Sequence, residues 1–141
     1  MNKKNTNELQ NELTAAPDLN RFLSENREQF VEAGFLDTMQ TLFQKSGLSK
    51  AALAKNAGTS EVYLYQIFSG LRMPSRDKIL CLCFGMSAAL EQTQELLKCG
   101  GLAQLYPKNR RDAVIIYAIA HHLDLMEAND LLFSENEATL C

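Results

Sequence analysis

Between positions 45 and 78 the chain holds six bases, Lys45, Lys50, Lys55, Arg72, Arg76 and Lys78, against two acids, Glu61 and Asp77. Elsewhere the balance reverses. Residues 1–44 carry four bases and seven acids, and residues 79–141 carry four bases and eight acids. A formal net charge of −3 therefore conceals one segment of +4. Cations gathered in one part of an otherwise acidic chain are what a phosphate-facing surface requires, because the field follows local rather than mean charge.

Other chemistries find less support in the residues. Cys81 and Cys83 stand two apart in a helical run, so their side chains diverge by about 200° and cannot grip one ion. With Cys99 and Cys141 they form no C-x-x-C pair, and free thiols in a reducing compartment are the expectation. His121 and His122 are adjacent and also point to different faces. There is no Ser-His-Asp, Cys-His or paired-carboxylate arrangement and no glycine-rich phosphate loop. Glu127 and Asp130 share a helix face, but capping and solvation account for them. Neither an enzyme nor a metal or other cofactor is expected.

The elements that must position the basic segment read as helices throughout. At 141 residues the chain is one domain's worth, and 46% apolar residues suffice for a core. No apolar run approaches the roughly eighteen residues of a membrane span. The polar start MNKKNTNELQNELTAA lacks a signal peptide's apolar segment, which makes the cytoplasm the expected location. Three prolines and seven glycines fall between apolar-periodic runs, and no run alternates with period two. The spacing predicts a weak helix over 8–15 and a second, capped by Asp18, with Leu19, Phe22, Leu23, Phe30 and Val31 on one stripe and its end at Gly34. A third places Leu36, Met39, Leu42 and Phe43 together and stops at Gly47. Ser49 caps the next, Gly58 turns the chain, and Thr59 or Ser60 caps another that runs to Gly70. Pro74 and Ser75 open a sixth helix, and Ser87 is the expected cap of a seventh. Beyond Gly100 and Gly101, Asn109 with Asp112 and Asp124 with Glu127 have capping-box spacing and open a helical hairpin. Residues 134–141 read as a frayed end.

Leu48, Ser49-Lys50, Leu53-Ala54, Gly58, Thr59-Ser60, Leu64, Ile67, Gly70 and Pro74 together resemble the Cro/repressor-type helix-turn-helix of the XRE, lambda-repressor-like family. Each match has a physical task. Ala54 is small where the second helix of the motif crosses it, Gly58 permits a positive φ in the turn, and Leu53, Leu64 and Ile67 set the interhelical angle. The resemblance spans about residues 36–97. It implies an all-α fold with a five-helix core over 36–99, an N-terminal extension over 1–35 and an additional hairpin over 102–135, packed on that core or on a partner subunit. In many family members an Arg–Glu pair ties the helix before the motif to the recognition helix. The matching positions are Phe43 and Phe68, so these two rings are expected to touch, closer than about 7 Å.

The resemblance further implies binding to double-stranded DNA as a transcriptional regulator, with residues 60–68 in the major groove. Glu61, Val62, Tyr65 and Gln66 would face base edges: Gln66 suits adenine, Glu61 cytosine and Val62 a thymine methyl. Ser60 caps the helix or reaches phosphate, Tyr63 meets phosphate from the flank, and Lys50, Arg72, Arg76 and Lys78 position the backbone. A homodimer would double these contacts on a two-fold site. One alternative stays open. Tyr63 and Tyr65, beside the acidic Glu61, would equally suit an adaptor that meets a protein partner.

Overall fold

The computed structural model describes residues 3–141, and among these there are nine α-helices and no strand. Helix α1 (Thr6–Ala15) starts at Asn5, whose side chain caps Glu8 N–H while Glu8 reaches back. Its neighbour α2 (Leu19–Glu25) is capped by Asp18. A 3₁₀ turn (Arg27–Gln29) leads into α3 (Val31–Ser46). Gly34 thus lies inside a helix and does not end one. The break falls instead at Asn26, buried and hydrogen-bonded through Nδ2 to the Phe22 carbonyl at 3.0 Å, and at the extended Phe30. A helical glycine costs only about 1 kcal/mol, too little to interrupt a helix that buries Phe35, Met39 and Leu42. The expected stripe is also narrower: Phe22 is buried, whereas Leu19, Leu23 and Val31 are exposed.

Gly47 closes α3 in the left-handed region, and Ser49 Oγ accepts from Ala52 N–H at 3.1 Å to open α4 (Lys50–Asn56). Gly58, with φ of 65°, turns the chain. Ser60 Oγ then accepts from Tyr63 N–H at 3.1 Å and opens α5 (Glu61–Phe68). Leu53, Leu64 and Ile67 are fully buried between these two helices and the rest of the core.

Helix α6 (Arg76–Gly85) is the centre of the molecule, packed by α4, by α7 (Leu90–Cys99) and by α9 (Leu125–Ser134). Residues 79–85 are buried on every side, which explains how Cys81 and Cys83 diverge and are nonetheless both buried. Burial pushes each thiol up to about 12. Ser87 does not cap α7. It adopts φ of 54° and ends α6, while Ala89 precedes α7 with its N–H satisfied by Gln92 Oε1 at 2.8 Å.

Helices α8 (Arg110–Ala120) and α9 form a hairpin that packs on α7 and α6 of the same chain, burying Ile115, Ala118, Leu125, Ala128 and Leu132. The stretch after α9 is docked, contrary to a frayed end. Leu140 is buried and its N–H donates to Asn129 Oδ1 at 2.8 Å, while Arg111 donates to the Ala138 and Thr139 carbonyls. An apolar residue with a slot to fill and a cation to satisfy its carbonyls outweighs the entropy of a short polar tail.

Candidate nucleic-acid interface

The local sequence makes α5 an amphipathic helix whose two faces do different work. Leu64 and Ile67 turn inward with no exposure, and Glu61, Val62 and Tyr65 turn outward, with Val62 at 66% and Tyr65 at 56%. Gln66 is half-buried beside them. Its carbonyl accepts from both Leu71 N–H and Arg72 N–H, at 2.9 and 3.1 Å. These two bonds, with Gly70 at φ of 80°, fold the loop back so that the exposed Arg72 stands at the end of the helix. Leu71 and Met73, which the sequence reading passed over, are exposed on either side of Arg72. Their signal was an apolar pair between Gly70 and Pro74, where no helix exists to bury it.

Each flank of α5 holds a lysine over an aromatic ring. On one side Lys50 Nζ lies 5.2 Å from the Tyr65 centroid, 5.4 Å from Phe68 and 5.7 Å from Phe43. Phe43 and Phe68 are themselves in contact, with centroids 5.0 Å apart, as expected from their positions. On the other side Lys78 Nζ lies 5.9 Å from the Tyr63 ring. Burial pushes the Tyr63 phenol up, while the nearby Arg72 cation opposes it, so Tyr63 keeps its proton at neutral pH and can donate.

Arg76 is placed elsewhere. Its guanidinium donates to both oxygens of Asp112, at 3.0 and 2.9 Å, and to the carbonyls of Ala103 and Gln104. Arg111 mirrors it by gripping Asp77 at 2.9 and 3.1 Å. Two Arg-Asp dipeptides, one opening α6 and one opening α8, are thus cross-paired. The signal was present in the repeated dipeptide, but pairing between elements is invisible in one dimension. Burial alone would raise Asp112, yet the Arg76 guanidinium and the Tyr106 N–H hold its carboxyl below the usual range. Asp112 is therefore unavailable to complete the capping box with Asn109, which accepts from Asp112 N–H alone.

The crossing leaves the local charge intact, since it removes one cation and one carboxylate from the segment. Position then sorts the remainder. Lys45 lines a groove with Asp37, Glu91 and Glu95, and Lys55 lines one with Asp124 and Asp130. Lys50, Arg72 and Lys78 remain around α5.

Residues 39–80, from the middle of α3 to the middle of α6, match the Helix-turn-helix family. No curated protein and no solved structure matches the chain. The protein carries an XRE-type (Cro/C1) helix-turn-helix domain at residues 39–80, and a domain of this type points to DNA binding. Among the described residues no helix is long and apolar enough to cross a membrane, and no group of three or more His, Cys, Asp or Glu side chains could hold a metal ion.

Proposed function

We propose that the protein is a sequence-specific DNA-binding transcriptional regulator that lays α5 in the major groove. The observation that supports this reading is the outward stripe of Glu61, Val62, Tyr65 and Gln66 on the second helix of the motif, flanked by Lys50, Arg72 and Lys78. Glu61 and Val62, in the first turn, stand where major-groove helices meet base edges. Gln66 pairs with adenine, Glu61 accepts from cytosine, and Tyr63 and Ser60 meet phosphate at the rim. Arg76 has no part in this contact set, because Asp112 and two carbonyls occupy it. Three cations per chain make for weak monomer affinity. A homodimer on two half-sites about one helical turn apart supplies the rest.

The test is binding of the full chain to random and genomic fragments at two salt concentrations, beside an Arg72→Ala, Lys78→Ala double variant. Selective binding that weakens with salt and collapses in the variant is expected. A folded protein that binds nothing at low salt would overturn the reading. One observation favours a second reading, an adaptor for a protein partner: Val62, Tyr65, Leu71 and Met73 are all exposed on α5 and its following loop. A partner recovered without any DNA affinity would establish it.

A further inference from the structure

We propose that Phe43, Tyr65 and Phe68 form a ring box that presets the Lys50 ammonium as a phosphate contact. The inference rests on the DNA-binding reading and adds to it how one contact is positioned. Lysine is a point charge on a flexible four-carbon stem, and an exposed one samples many rotamers. Lys50 is half-buried, and its Nζ lies within 5.2–5.7 Å of three ring centroids, inside the roughly 6 Å reach of a cation–π contact.

The rings belong to different elements, Phe43 to α3 and Tyr65 and Phe68 to α5, so the ammonium sits where three helices meet. Phe43 and Phe68 are fixed by their mutual contact at 5.0 Å. No described carboxylate forms an ion pair with Lys50. That difference is the point of the device. A carboxylate would hold the ammonium and cancel its charge; rings hold it and leave the full charge for a phosphate. Because Tyr65 is also on the outward stripe, the held cation lies at the edge of the groove-facing surface.

The box acts through Lys50, so Phe43 and Phe68 are positioning residues, and a double-mutant cycle separates that role from packing. The full chain, Lys50→Met, Phe43→Leu with Phe68→Leu, and the triple variant are titrated against one selected DNA fragment across a salt series. Thermal melts confirm that each is folded. Loss of Lys50 is expected to flatten the slope of log Kd against log salt by about 0.9 per lysine engaged. The leucine pair is expected to weaken binding about fivefold with Lys50 present and by less than about twofold in Lys50→Met. An unchanged slope in Lys50→Met, or an equal ring effect in both backgrounds, would overturn this inference alone. Absence of DNA binding by the unaltered chain would overturn the functional reading and this one together.

Discussion

Asp112 shows how a carboxylate placed to complete a cap can be claimed by stronger partners. Its sequence position, three after Asn109, suggests a capping role. The Arg76 guanidinium offers two parallel charge-assisted bonds instead, and the Tyr106 N–H a third contact. Replacing Asp112 with Asn should lower stability by about 1.5–3 kcal/mol at neutral pH, the range for hydrogen bonds to charged groups. The sign with pH follows from the depressed carboxyl. Its contribution is present above the unfolded value of about 3.9 and is lost as pH falls through the folded value. Denaturant melts of the two proteins should therefore differ at pH 7, begin to converge below about pH 4 and meet only once pH has fallen past the depressed folded value. A gap that persists in acid would mean that packing, and not the charge, is what Asp112 supplies. The same competition explains why Arg76, counted among the cations of the basic segment, is held by Asp112. A basic residue beside a helix-turn-helix motif is a candidate for phosphate until a buried acid is found within reach.

Helix starts were legible where a side chain caps them, because capping is local chemistry settled within three or four residues; α3 and α7, which start without a side-chain cap bond, were not. Asp18, Ser49, Ser60, Ser75, Asn109 and Asp124 all accept the expected backbone bonds. Helix ends were less so. Gly34 has nothing near it that a side chain would strike, and its helix continues. Gly85 is the opposite case, and only the packing of α4 on α6 reveals it. A Cβ there would lie 3.0 Å from both Ala57 Cβ and Leu53 Cδ1. Gly85→Ala should cost up to about 2 kcal/mol, overpacking less the gain in helix propensity, and lower Tm by a few degrees. Unaltered Tm would mean that α4 can move away freely, and then the orientation of the motif would not be set by this contact.

At the scale of the molecule, the α8–α9 hairpin and the stretch to Cys141 complete the core around α6. Leu140, Ile115, Ala118 and Leu132 are buried in the same cluster as Leu53, Leu64 and Ile67. The crossed Arg-Asp pairs add two bidentate ties between the starts of α6 and α8. A chain ended at Gly101 would lose these ties and uncover α6. It should lose the sharp thermal transition of the full chain in circular dichroism. A truncated protein that melts as sharply and as high would show that the motif's core stands without the hairpin.

The residues alone determined the helical class, the turn at Gly58 and the segment that carries the positive charge, and the family resemblance implied the contact of Phe43 with Phe68. Each depends on spacing, caps or a motif that lies within a few dozen positions of one chain. Tertiary structure alone decided which cations stand around α5. Asp112 takes Arg76, Lys45 and Lys55 are exposed in grooves they share with acids, and Lys50, Arg72 and Lys78 are left around α5. The reason is range: a charge can be counted from its residue type, but its partner is set by folding, which brought Asp112 to Arg76 across 36 positions.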